Sequence, residues 1–194
     1  MEITSAQIKQ LRDQTGISVM QCKKALEEAG GDMDKAIIIL KKKRSEAAEK
    51  KSDRELGAGA VGVYVHNTNE VAGMVLLACE TDFVAKNQEF VALARDIAMH
   101  VTATNPKYIS KTEIDEAVLT KAKEVFQSEV VGKPADMQEK ILSGKMDAYF
   151  KDQILLEQSF IKNPETTIAD MVSGAVQKFG ENITIASISR LSVK

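Results

Sequence analysis

The chain has 194 residues, 28% of them charged, and its 26 Lys plus Arg against 28 Asp plus Glu leave a net charge of -2. That near balance argues against a surface built throughout for nucleic acid or anionic membrane, though it leaves room for local basic patches. The length allows at least one sizeable core and a small extra domain, and two Cys with two His are too few for a disulfide framework or a zinc site, so neither metal nor cofactor is expected.

The N-terminus, MEITSAQIKQ, lacks the charged-then-apolar order of a signal peptide, and no apolar run nears the ~18 residues of a membrane span. A cytoplasmic protein without a membrane partner is expected. Residues 1–44 predict a module of three short helices. Thr4 with Gln7 and Ser18 with Gln21 have capping-box spacing, and Asp32 can cap a third helix after Gly30-Gly31. Leu11, Met20, Ala25, Leu26, Ala29, Met33, Ala36, Ile37 and Leu40 fall at helical spacing as its core. Cys22 and Cys79 are expected to be small buried hydrophobes.

From Lys41 the stretch KKKRSEAAEKKSDRELGAGA is charged and poor in large apolar residues, and residues 45–59 predict an exposed helix extension or linker. Its basic run reads as a solvated face or, alternatively, as a phosphate contact. Residues 60–194 then form an α+β core domain. Val61 to His66 alternates, Asn67-Thr68-Asn69 supplies a turn and Val71 to Cys79 is β-rich, which predicts a hairpin. Asn87 can start a helix to about Thr104, whose stripe of Phe90, Val91, Ala94, Ile97, Ala98 and Val101 suits the sheet face, and Asn105-Pro106 stops it.

Residues 115–156 predict two antiparallel helices broken at Gly132-Lys133-Pro134, with sparse apolar contacts at Val118, Val125, Ile141, Met146, Tyr149, Ile154 and Leu155. Such a pair reads as a projecting arm. Gly144 is a candidate bend in its second helix. After it come a short extended piece, Ser159-Phe160-Ile161, a helix from Thr167 and Asp170 to Gly180, and a strand from Ile183 to Val193 beside the hairpin. The expected result is a three-stranded antiparallel sheet packed with helices.

Catalytic signatures are missing: there is no P-loop, GxGxxG, nucleophile elbow or HExxH. Gly57, Gly59 and Gly62 lie before a strand where a nucleotide fold needs its glycines after one. His66 and His100 lack a visible orienting partner and read better as packed or contact residues than as general bases. No enzyme is expected. With 5% aromatics and no Trp, a stacking platform for single-stranded nucleic acid is not expected either. What remains are surfaces suited to gripping another protein, among them the corner at Glu80 to Phe90, ETDFVAKNQEF. There Asp82 adjoins Phe83 where a buried strand runs out, and the ring either tucks into the core or is offered to a partner.

The residues themselves resemble a known family. LRDQTGISVMQCKKALEEAGGDMDKAI, CETDFVAKN, AMHVTATNPKYI and SFIKNPETTIADMV resemble segments of the bacterial elongation factor Ts family, over essentially the full length. That resemblance implies a ubiquitin-associated-like N-terminal module and a guanine-nucleotide exchange factor for elongation factor Tu. By it, Phe83 is the wedge that disturbs the partner's Mg2+ and phosphate-binding elements, Asp82 its polar companion, and Thr81 and Val84 shape the corner. It also implies partner contacts by Lys23, by His66 and by Ile161 with Lys162, where the alternatives are a solvated Lys, a strand-end His and a buried Ile. Longer members carry two related core halves. Here there is one, so a homodimer through the core sheet is expected to restore the pair. The rival reading is an adaptor or chaperone-like module that holds a GTPase without exchanging its nucleotide.

Overall fold

The computed structural model describes residues 3–130 and 134–193. Three helices open it: α1 (Ser5–Thr15), α2 (Val19–Glu28) and α3 (Met33–Glu49). Each starts at the cap its sequence offers. Thr4 and Gln7 close a full capping box, Ser18 Oγ accepts from the Gln21 N–H, and Asp32 Oδ1 accepts from the Lys35 N–H. Gly30 and Gly31 take φ of 64° and 86°, the left-handed step that ends α2 and lets the chain turn into α3.

Leu11, Ile17, Cys22, Ala25, Leu26, Ala36 and Leu40 form the core of these helices. Met20 corrects the sequence reading, since it is 65% exposed. Cys22, Ala25, Leu26 and Ala29 already make the inward stripe of α2, and Met20 sits roughly 200° around the helix from Cys22.

Helix α3 runs to Glu49, past the residue 44 at which the sequence suggested a boundary. Its second half and the segment after it are docked. Arg44 Nη1 donates to the Asp170 carbonyl at 3.2 Å, Lys51 Nζ to the Val176 carbonyl at 3.5 Å, and Asn182 Nδ2 to the carbonyls of Ser52 and Arg54. The basic run meets its counter-charges within the chain: Lys41 faces Asp170, Lys42 faces Glu46 and Lys43 faces Glu28. That pairing favours a solvated face over a phosphate site.

The core is α+β. Strands β1 (Ala58–Val65) and β2 (Val71–Cys79) form an antiparallel hairpin, and β5 (Ile183–Ser192) lies antiparallel along the other edge of β2, in the order β1-β2-β5. Helix α5 (Gln88–Thr104) covers one face, joined by α8 (Ile168–Phe179). Phe90, Ala94, Ile97, Ala98 and Val101 meet Val75, Leu77, Ile183 and Ile185 there. Val91, expected in that stripe, is exposed at its edge.

Gly59 and Gly62 lie within β1 and not before it, which corrects the strand start. The reason is close packing: a Cβ on Gly62 would stand 2.1 Å from the Ala94 carbonyl oxygen, and one on Gly73 would stand 2.4 Å from Thr102 Oγ1. Two glycines on adjacent strands thus let the α5 backbone rest directly on the sheet. The opposite face carries Val61, Val63, Val65, Met74, Leu76 and Leu191, all exposed, with no charged residue among its strand positions.

Helices α6 (Glu116–Glu129) and α7 (Ala135–Lys151) pack on each other, with the Phe126 and Tyr149 rings edge-on at 5.6 Å. Gly132 and Lys133, part of the expected break, lie outside the described residues, and α7 is continuous through Gly144. Ile114, Phe150 and Ile154 form a small core at their base; Tyr149, half-exposed, makes the expected contact through Phe126 and Phe150, whereas Val125 remains exposed. Strands β3 (Ser159–Phe160) and β4 (Asn163–Thr167) make a second, two-stranded sheet. Asn163-Pro164-Glu165 has no apolar alternation, so periodicity could not reveal β4. Among the described residues no helix is long and apolar enough to cross a membrane.

Candidate functional site

Strand β2 ends in three buried residues, Leu77, Ala78 and Cys79, and Cys79 Sγ donates to the Thr81 carbonyl at 3.2 Å. Burial, with the nearby Glu181 carboxylate adding to it, pushes the Cys79 thiol's pKa up, so it is a neutral packing group. Thr81 then leaves the sheet in an extended conformation and caps a single helical turn, α4 (Asp82–Ala85), with Oγ1 accepting from the Val84 N–H at 3.4 Å. The four residues of the corner divide cleanly. Val84 is buried in the main core, Asp82 bonds Lys86 at 2.6 Å on the surface, and the Phe83 ring is 81% exposed. The question the sequence left open has a geometric answer: the ring does not tuck in.

The corner is held from below by two carboxylates, each accepting from backbone N–H groups of the other's segment. Glu181, just before β5, accepts from the N–H groups of Glu80 (3.1 Å) and Thr81 (3.0 Å) and from the Thr81 hydroxyl. Glu80 in turn accepts from the Asn182 N–H and, at 3.3 Å, from Arg54 Nη1. The Asn182 amide, followed by Arg54, holds the Glu80 carboxyl below its usual range. Asp82 is likewise held low, by Lys86. Both carboxylates are therefore ionised at neutral pH.

The remaining expected site residues are spread over the surface. Lys23 lies on α2, 3.9 Å from Glu27. His66 follows β1 at the hairpin turn, its Nδ1 3.5 Å from Tyr64 Oη, and the sheet puts it roughly 25 Å from the corner, the length of an eight-residue strand. Ile161 is exposed and not buried, and Lys162 Nζ donates to Asp96 of α5 at 2.8 Å. Thr81 to Val84 are thus brought together as one built corner; Lys23, His66 and the Ile161-Lys162 pair stand apart from it. His100 is fully buried, Nε2 donating to Gln158 Oε1 at 2.7 Å, with Nδ1 unpartnered. It is a packing residue at the core. Among the described residues no cluster of three or more His, Cys, Asp or Glu could hold a metal ion.

Sequence reasoning missed Glu181. Its only local signal is Gly180, a helix stop, immediately followed by an acid and Asn182. Its partners are 100 residues or more away and become visible only through the β2–β5 pairing.

This α+β architecture ends its central strand in a capped turn that offers a phenyl ring to solvent. A family model described as Elongation factor TS matches residues 40–194. The chain is 46% identical to an Elongation factor Ts of Thermodesulfovibrio yellowstonii, covering 100% of this chain and 97% of that relative. It is 44% identical to those of Herpetosiphon aurantiacus (100% and 98% covered) and Carboxydothermus hydrogenoformans (98% and 89%). The chain belongs to the elongation factor Ts family, and with it to the elongation factors of protein biosynthesis.

Proposed function

We propose that this chain is a guanine-nucleotide exchange factor that binds elongation factor Tu in its GDP form in the cytoplasm and speeds GDP release. The observation that carries the reading is the Phe83 ring, 81% exposed at the tip of a capped turn whose neighbour Val84 is anchored in the core. Phe83 enters the GTP-binding domain of the partner as a wedge, Asp82 accompanies it, and Thr81 and Val84 fix its direction. Displacing the elements that organise Mg2+ and the phosphates weakens the backbone donors that hold the diphosphate. Nothing covalent is required. By linkage, the factor weakens GDP by the same ratio as GDP weakens the factor.

The ubiquitin-associated-like module α1–α3 presents Lys23 to the same partner, and His66, Ile161 and Lys162 extend the contact over the core. The exposed, uncharged sheet face supports a second element of the reading: two copies of this chain pair through it. A face of Val61, Val63, Val65, Met74, Leu76 and Leu191 can meet its own two-fold image without burying a charge.

Release of a fluorescent GDP from elongation factor Tu tests the exchange reading. Acceleration by catalytic amounts of the chain is expected. Stable binding with unchanged release would assign the chain to the adaptor class instead.

A further inference from the structure

We propose that Glu181 is a positioning residue for exchange: its carboxylate is the clamp that aims the Phe83 corner, an inference that rests on the exchange reading above. The chain leaving the end of the central strand β2 has two N–H groups beyond the ladder, those of Glu80 and Thr81, and one carboxylate takes both, together with the Thr81 hydroxyl. That hydroxyl oxygen also accepts the N–H of Val84, the third residue of α4, so Glu181, Thr81 and Val84 form one continuous chain of hydrogen bonds into the turn that carries Phe83. Glu80 returns the same service to Asn182, whose side chain ties down Ser52 and Arg54 behind α3. The corner, the start of β5 and the segment after the N-terminal helices are thereby locked to one another.

The arrangement is specific to a carboxylate. Glu181 Oε2 takes both backbone N–H groups and Oε1 takes the Thr81 hydroxyl, so an amide that keeps its oxygen on the two N–H groups turns its NH2 toward the Thr81 oxygen and reverses that bond, disturbing the link from Thr81 into α4. A loose corner still presents a phenyl ring, but its direction spreads, and a displacement near 1 Å suffices to spoil a positioned group. Initial docking through the rest of the surface is affected less, because the clamp lies beneath the corner and not at its tip.

The experiment compares Glu181→Gln with the parent in release of fluorescent GDP from elongation factor Tu, as a function of factor concentration. Slowing of the maximal release rate on the order of tenfold is expected, with the half-saturating concentration changed less than about threefold. In the amide NMR spectrum the Glu80 and Thr81 signals should shift while those of α1 and α2 stay in place. Thr81→Val, which removes the hydroxyl donor, should resemble Glu181→Gln, and Thr81→Ser, which keeps it, should resemble the parent; this pair decides the matter if Glu181→Gln does not fold. Parent-like maximal release in Glu181→Gln, or in Thr81→Val, overturns the clamp. Phe83→Ala separates the two levels. If it slows release while Glu181→Gln does not, the clamp alone is wrong; if it releases GDP as fast as the parent, the wedge and the clamp fall together; and if the parent itself does not accelerate release, the exchange reading falls.

Discussion

A phenyl ring left in water forgoes the roughly 1.5–3 kcal/mol that burying it would give. At Phe83 that cost is borne at a position where the next residue, Val84, is buried in the core, so the chain had a core-facing site one residue away and presents the ring outward. Removing an exposed ring should change stability by no more than about 0.5 kcal/mol. The opposite case is His100. Burial lowers the pKa of its imidazole, which Gln158 contacts at Nε2, so the unfolded chain takes up a proton near pH ~6.5 while the folded chain resists. Protons are then bound more by the unfolded state, and stability falls as pH drops through that window toward the folded value. Chemical denaturation between pH 7 and 5 should show this slope, at most about 1.4 kcal/mol per pH unit, and His100→Gln should flatten it. An unchanged slope in the variant would assign the acid sensitivity to carboxylates.

At the scale of elements, the helix on the sheet depends on absent side chains. Gly62→Ala would drive a methyl into the Ala94 carbonyl, and neither backbone can yield without lifting α5. A loss of at least about 2 kcal/mol in urea denaturation is expected, whereas Gly144→Ala, with open space around it, should be neutral or stabilising. Elements of this kind were legible where local chemistry decides: the caps at Thr4, Asp32, Asn87 and Thr167, the glycine stops, and the β1–β2 hairpin all follow from short-range rules. Legibility failed where partners are distant. Met20 was misassigned because its helix face is set by Cys22 and Ala25, β4 had no periodicity, and the role of Glu181 depends on strand pairing across 100 residues. The corner was legible as a corner, but the direction of its ring was not, because Phe83 and Val84 are both apolar and only the turn geometry of α4 decides which points inward.

At the scale of the whole molecule, one sheet is packed on one face only. Pairing of two copies through the bare face predicts a dimer in light scattering at micromolar concentration, and Val63→Lys at its centre should give a folded monomer. A parent chain that is monomeric under those conditions would leave the sheet face without this partner. The segment from α3 to β1, bonded to α8 through Lys51, also makes the N-terminal helices part of the frame behind the corner, through Asn182, Arg54 and Glu80. The wedge proposed for Phe83 is tested most directly by stopped-flow release of fluorescent GDP from elongation factor Tu at saturating factor, parent against Phe83→Ala. With a wedge there, the variant slows release on the order of tenfold or more while its melting temperature stays within about 2 °C of the parent. Release as fast as the parent's, or a melting temperature that collapses with the rate, would contradict it.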